Sequence, residues 1–392
     1  MKIASIVAEY NPFHNGHKYQ IEKIKNEYTD YIIVIMSTSF VQRGEPAIID
    51  KFTRAKIAID NGASLVIENP VIYSTANAEL FSKGAINILN SFQSIDKLFF
   101  GSENELNELI NIKEKIDSNF DDKKIKTFID DGYSYIKSKE LAMDFLSAYE
   151  KNIYKKPNNI LAFEYLNALE KLKSKITPHS IIRKSVNHDS FYPSDNFASA
   201  SLIRNLIKNK TDYTKYTPNY NIYDIHLLDD YFDIIKYKIL TQNCNFENYF
   251  DYEVGLENRM FNNLDSKDAE EFIERTHSKR HSKSRIKRLL IQMLLDLDKN
   301  LILESFNFPY IRVLGLDDRG AEILNTSNNK NIISSFKKYY DSSIGIQKQI
   351  LDKEILATNL YNYKSGNMGL DFTHKIYKKT WVFAQVFGVY LI

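Results

Sequence analysis

In the segment Glu9-Tyr10-Asn11-Pro12-Phe13-His14-Asn15-Gly16-His17, two imidazoles flank one asparagine and one glycine. A short apolar run precedes it (Ile3, Ala4, Ile6, Val7, Ala8), and residues with helical spacing follow (Ile21, Ile24, Tyr28). The pattern predicts a strand-to-helix corner. Such a corner suits a nucleoside triphosphate, because a helix N-terminus offers unpaired N–H groups and a partial positive charge to an anion. Gly16 is expected to let the backbone approach phosphate closely. His14 and His17, the candidate catalytic pair, are expected to donate to oxygens that gain charge as pyrophosphate leaves.

The elements that must hold this corner follow from periodicity. Residues 1–101 alternate strand and helix patterns, and the run 31–36 (YIIVIM) is continuously apolar, as in a strand buried on both faces. A helix is predicted from about Asp50, with Phe52, Ala55 and Ile59 on one face and Gly62 as its stop. Then come a strand at 65–67, a helix marked by Phe81, Ala85 and Ile88, and a strand at 97–100 ending at Gly101. This alternation argues for an α/β fold with a parallel sheet covered on both sides, whose ligands lie beyond the carboxyl ends of the strands. His14, Ser37 and Gly101 each fall just after a predicted strand.

Residues 102–157 read as a charged helical insertion closed by Lys155-Lys156-Pro157. A helix at 160–172, a strand at 176–182 and a helix after Ala198-Ser199-Ala200-Ser201 are expected next. From about Tyr223 the pattern is mainly helical and only Pro309 remains of the prolines. The expected boundary lies in the polar segment 215–222, separating residues 1–220 from a mainly α-helical domain at 221–392.

The net charge is +2, so any basic surface must come from local clustering. Cys244 is the single cysteine, which excludes an internal disulfide and a cysteine-based zinc site and fits a reducing cytosol. Met1-Lys2-Ile3 runs straight into a predicted strand, so no signal peptide is expected. No apolar run reaches the roughly 18–20 residues of a membrane span. A soluble, cytoplasmic protein is the expectation.

Further constellations carry two readings each. Arg43, in Val41-Gln42-Arg43-Gly44-Glu45-Pro46, either meets a phosphate or sits on a surface loop. Asn158, in Pro157-Asn158-Asn159, reads equally as an N-cap or as an amide that pairs with a base or ribose. Arg183 follows Ile181-Ile182 at the expected ligand edge, where its donor fork suits phosphate. Ser199, Ser201 and Arg204 open a helix, either as a second phosphate cradle or as a cap beside a surface arginine. The strongest basic feature comprises Arg275, Lys279, Arg280, Lys283, Arg285, Lys287 and Arg288, with no carboxylate between residues 275 and 288. This favours a polyanion partner over a solvated helix face. His277 and His281 lie four apart without a nearby acidic or cysteine partner, so no metal site is expected.

Along nearly its whole length the chain resembles the bacterial tRNA-Met cytidine acetate ligase family, within the HxGH nucleotidyltransferases. The resemblance is carried by Ala8-Glu9-Tyr10-Asn11-Pro12-Phe13-His14-Asn15-Gly16-His17, Phe40-Val41-Gln42-Arg43-Gly44-Glu45-Pro46-Ala47 and Gly62-Ala63-Ser64-Leu65-Val66-Ile67-Glu68. Phe100-Gly101-Ser102-Glu103, Pro157-Asn158-Asn159-Ile160-Leu161, Phe197-Ala198-Ser199-Ala200 and Gly255-Leu256-Glu257-Asn258-Arg259 extend it. Ser278-Lys279-Arg280-His281 and Arg285-Ile286-Lys287-Arg288 match the family's basic C-terminal segment. The resemblance implies a Rossmann-like ATP-binding domain joined to a helical tRNA-binding domain. It places ATP contacts at Val7, Ala8, Glu9, Tyr10, Asn11, Pro12, Phe13, His14, Asn15, Gly16, His17, Lys18, Tyr19 and Gln20, and at Gly101, Asn158 and Arg183. Three departures stand out: Thr38-Ser39 where a Gly-Asn pair is expected after Ser37, Asn69 where leucine is expected, and no glycine around Asn187-His188.

The implied activity is ATP-dependent acetylation of the wobble cytidine of elongator tRNA-Met to N(4)-acetylcytidine. Acetate would attack the α-phosphorus of ATP to give acetyl-adenylate and pyrophosphate, and the cytidine amine would then take the acetyl group and release AMP. Magnesium is expected on the triphosphate for charge neutralisation, without a dedicated ligand cluster. The expected partners are the tRNA anticodon loop and acetate, with no membrane and no stable protein partner. Two alternatives stay open: an adenylyltransferase acting on a small phosphorylated metabolite, and a tRNA-binding protein without catalysis.

Overall fold

The two apolar runs near the N-terminus form β1 (Ala4–Ala8) and β2 (Ile32–Ser37), which pair in parallel in the computed structural model. Described residues are 1–133, 135–183, 196–218, 220, 222, 224–241, 245–327, 331–333 and 335–380. Asn187, His188 and Cys244 lie outside them. A short antiparallel hairpin, β3 (Phe40–Val41) and β4 (Glu45–Pro46), leaves the end of β2. β5 (Leu65–Asn69), β6 (Lys97–Ser102) and β7 (Thr177–Ile182) extend the parallel sheet on either side. With β8 (Ile311–Asp317), β9 (Ile332–Ile333) and β10 (Tyr377–Lys379), the order is β10-β8-β5-β2-β1-β6-β7, with β9 against β8.

Both faces of the sheet are covered, which explains the unbroken apolar run of β2. Ile32, Val34 and Met36 join the cluster that holds Ile21, Ile24, Ala55 and Ile59. Ile33 and Ile35 join the opposite one, with Phe81, Ala85 and Ile88. The chain runs outward from β1 through β2 to β5, then returns to the other side of β1 for β6. That reversal opens a crevice at the carboxyl ends of β1 and β6. The helical insertion is present as Leu106–Asn119, Asp122–Asp130, Tyr135–Ala142 and Ala148–Lys155.

One expectation is corrected. The region after residue 221 is mainly helical, but it also supplies β8, β9 and β10, and β8 pairs antiparallel with β5. Tyr310, Ile311, Val313 and Leu316 lie in the same apolar cluster as Leu65 and Ile67. The change near residue 220 is therefore one of composition, and the sheet and core cross it. The short segment 311–317 (IRVLGLD) mixes Arg312 and Asp317 with apolar residues and has no period that separates a buried strand from a buried helix.

Where the two regions meet, charge is buried. Lys51 Nζ contacts carboxylates of Glu68 (3.1 Å), Glu354 (2.8 Å) and Asp371 (2.9 Å). Arg312 contacts Glu68 (3.0 Å) and Asp371 (2.7 Å), and the Tyr310 hydroxyl donates to Glu68 (2.8 Å). All of these side chains are buried.

The departures at 38, 39 and 69 fall in this interior. Ser37, Thr38, Ser39 and Asn69 are buried, and neither amide atom of Asn69 has a hydrogen-bond partner. A buried polar group left unpaired costs about 1–3 kcal/mol. Asn69→Leu is accordingly expected to stabilise the protein by about that amount, read as a higher urea midpoint at unchanged slope.

Candidate active site

The corner after β1 is built from its own side chains. His14 is the N-cap of the helix Asn15–Glu27, and its Nδ1 accepts the Gly16 N–H (3.0 Å). The His14 N–H in turn donates to His17 Nδ1 (3.2 Å), a reciprocal capping box. The two rings stack at 3.7 Å between centroids with an interplanar angle of 18°, and Tyr10 and Phe13 pack on His17. Because each Nδ1 accepts a backbone N–H, each ring carries its proton on Nε2. Burial pushes His14 down to about 3, with Arg183 and Arg204 adding to the shift. His17 is driven well below the imidazole range by burial, then by His14 and Arg183. The pair is therefore neutral at physiological pH and presents two Nε2–H donors.

Gly16 lines the cavity and also has a steric role. A Cβ there would meet His14 Cε1 at 2.9 Å and Nδ1 at 3.0 Å, so the missing side chain makes room for the histidine ring. Behind the corner, Arg54 is fully buried and donates only to carbonyls: Nε to Ile49 (2.9 Å), Nη1 to Glu9 (2.6 Å) and Ser37 (2.9 Å), and Nη2 to Thr38. One guanidinium thus ties the carboxyl ends of β1 and β2 together.

The corner opens into a cavity of about 240 Å³ at the switch point of the sheet. Val7, Ala8, Glu9, Tyr10, Asn11, His14, Gly16, His17, Tyr19 and Gln20 line it, as do Gly101, Asn158 and Arg183. Pro12, Phe13, Asn15 and Lys18 are not among the lining residues. Phe13 is core, Asn15 donates to the carbonyls of Asn196 and Lys215, and Lys18 faces Glu22 on the outer helix surface. A tight turn running into a helix directs successive side chains to different sides, so a contiguous motif cannot put all its members into one cavity.

Arg183 follows β7 and its Nη1 donates to Asn158 Oδ1 (2.9 Å), while the Asn158 amide donates to Glu103. Asn158 is thus no N-cap: it lies inside the helix Pro157–Lys171 and fixes the arginine's direction. Ser199 does cap the helix Ala200–Lys208, and it also lines the cavity together with Ser201 and Arg204. Arg204 Nη1 donates to the Asn11 carbonyl (2.8 Å). Gln42 and Arg43 line the opposite lip, so the surface-loop reading of Arg43 is not upheld. The apolar floor, including Phe81, Phe100, Leu161 and Tyr165, escaped the motif reading because isolated core-type residues carry no local signal.

The hairpin between β3 and β4 joins this cavity to the basic segment. A Cβ on Gly44 (φ +75°) would meet the Arg288 backbone nitrogen at 2.3 Å, so only glycine fits against the helix Lys283–Leu295. The next residue, Glu45, pairs with Lys287 and lies 3.7 Å from Arg204 Nε. The basic segment itself is less free than its sequence suggests. Arg275 pairs with Asp265, Arg280 and Arg285 with Glu253, Lys283 with Glu274, and Arg288 with Asp251. Arg285 also donates to the carbonyls of Asp251 and Tyr252. The carboxylates absent from residues 275–288 are brought in by the fold. Lys279 is exposed and alone of the seven has no carboxylate partner among the described residues.

Residues 1–371 match the family model described as HIGH Nucleotidyl Transferase. The tRNA(Met) cytidine acetate ligase of Thermoanaerobacter sp. (strain X514) is 37% identical, over 96% of this chain and 100% of that protein. The protein of the same name from Clostridium novyi (strain NT) is 37% identical over 97% of this chain and 100% of its own. Among solved structures, apo Thermotoga maritima TmcAL superposes with a TM-score of 0.87 at 28% identity, covering 97% of this chain and 100% of that one. The same protein bound with alpha-thio ATP gives 0.85 at 27% identity, with the same coverage.

Proposed function

The chain belongs to the HIGH nucleotidyl transferases and, within them, to the tRNA(Met) cytidine acetate ligases, and from that membership we propose that it acetylates the wobble cytidine of elongator tRNA-Met with ATP and acetate. The observation that carries this reading is the neutral, stacked His14–His17 pair at a helix N-terminus, facing the cavity beside Arg183. In the first step an acetate oxygen attacks the α-phosphorus and pyrophosphate leaves. The Nε2–H groups, the Arg183 fork and the helix N–H groups stabilise the charge that gathers on the leaving oxygens. In the second step the cytidine amine takes the acetyl group and AMP departs.

A magnesium ion would travel on the triphosphate. No group of three or more His, Cys, Asp or Glu side chains among the described residues could hold a metal, and Glu9 is the only carboxylate among the described cavity-lining residues. The deciding experiment combines purified protein, ATP, labelled acetate and bulk tRNA, followed by nucleoside analysis. Label in N(4)-acetylcytidine, with AMP and pyrophosphate as co-products, is the expected result; binding of tRNA without turnover would overturn it.

The exposed end of the basic segment is where the tRNA backbone rests in this reading. Lys279→Glu with Lys283→Glu should weaken tRNA binding and reduce the slope of log affinity against log salt by about 1 for each phosphate no longer neutralised. Acetate-dependent ATP–pyrophosphate exchange should stay at the wild-type rate. Arg285 and Arg288 are unsuitable targets, since both hold residues 251–252 in place.

A further inference from the structure

The transfer step releases a proton, and the cavity restricts where it can go. We infer that Glu9 is the general base that takes the proton from the cytidine amine, an inference that rests on the acetylation reading above. The first half-reaction needs no base, because acetate is already ionised. The second does. The amine lone pair forms a bond to the acetyl carbonyl carbon, and the carbonyl electron pair moves to oxygen. Collapse of the adduct breaks the bond to the AMP phosphate oxygen, which leaves with its electron pair. One N–H proton must pass to an acceptor.

The imidazoles cannot take it. Each Nδ1 is engaged by a backbone N–H, each Nε2 already carries a hydrogen, and a cationic ring would lie beside Arg183. The phenols of Tyr10 and Tyr165 are held protonated by burial. Glu9 is the only carboxylate among the described residues of the lining. It sits on the turn between β1 and the histidines, and its Oε1 accepts the Gln42 N–H (2.8 Å), which fixes the carboxylate against the hairpin. Arg43, Arg204 and Arg54 face it as cations, Glu45 as an anion and Tyr165 as a neutral phenol. Burial raises Glu9 above the ordinary carboxylate range, against the pull of Arg43, Arg204 and the Gln42 N–H, so its carboxylate is a stronger base than a solvated one.

The test separates the two half-reactions. Glu9→Gln keeps the hydrogen bond from Gln42, and because the residue lines the ATP cavity the readout is the split between the steps: acetate-dependent ATP–pyrophosphate exchange should fall far less than acetyl transfer. Single-turnover acetyl transfer to tRNA should slow on the order of 10²–10⁴-fold and follow a flatter pH profile than the wild type. Glu9→Asp should recover part of the transfer rate and restore the wild-type pH dependence. Transfer by Glu9→Gln at the wild-type rate, or equal losses of exchange and transfer, would overturn the assignment. Wild-type protein that exchanges pyrophosphate but acetylates no cytidine would remove the underlying reading instead, a result distinct from a defect confined to the variant.

Discussion

Replacing His17 with asparagine should slow acetate-dependent ATP–pyrophosphate exchange on the order of 10²–10³-fold while leaving the unfolding midpoint nearly unchanged. Asparagine places an acceptor near the former Nδ1, so the N–H of His14 keeps its cap, but nothing replaces the Nε2–H donor that faces the cavity. Glutamine should do the reverse. Its amide reaches the Nε2 position and preserves more of the rate, while loss of the cap costs about 1 kcal/mol. A structural histidine would show the opposite order, with stability falling in step with activity in both variants. Since the rings are neutral, wild-type exchange should show no fall across pH 6–8 from His14 or His17 losing a proton, although both are histidines.

The second large effect lies in the buried ion cluster. Lys51→Met is expected to destabilise the protein by about 3–5 kcal/mol, because it strands three carboxylates that share one ammonium. Two cations, Lys51 and Arg312, face Glu68, Glu354 and Asp371, so full ionisation leaves one excess negative charge in the interior. Glu354 absorbs it: burial first, then Glu68, raises its carboxyl to about 7. Asp371 is held low, at about 2, where Arg312 and Lys51 outweigh its burial. The signs differ. Asp371 contributes stability above its ordinary value of 3.8 that is lost as pH falls towards 2. Glu354 contributes stability that is complete below 4.5 and is lost as pH rises to about 7. Unfolding free energies measured from pH 4.5 to 7 should therefore show the wild type losing ground to Glu354→Gln. A constant difference between the two would refute the raised Glu354 carboxyl.

The parts of the fold that were legible in the sequence are those with a local period or punctuation. β1, β2 and β6 announce themselves as apolar runs between helical segments, and the histidine corner follows from its place in that order. β8 gives no such signal, because the segment IRVLGLD sets Arg312 and Asp317 among its apolar residues and fits neither a strand nor a helix period. The site divides along the same line. His14, Gly16, His17, Asn158 and Arg183 sit in compact motifs. The cavity also needs Gln42, Arg43 and Arg204, whose positions depend on how a hairpin and a distant helix dock. The basic segment erred in the other direction: residues 275–288 show seven cations without an acid, while Glu274 at their edge pairs with Lys283 and the fold brings Asp251 and Glu253 against Arg288, Arg280 and Arg285. Charge read along a chain states what a surface contains before its partners arrive.

Strand β8 also constrains the protein's synthesis. As the chain emerges from the ribosome, β5 carries an open hydrogen-bonding side from residue 69 until residue 311 has been translated. At about 5–20 residues per second, that interval is on the order of 10–50 s. Throughout it Lys51 and Glu68 lack Arg312, Glu354 and Asp371, so the nascent N-terminal portion cannot lock shut on its own. A ribosome stalled before Ile311 would therefore hold a sheet with an unprotected flank, the kind of intermediate that chaperones shield or neighbouring chains capture.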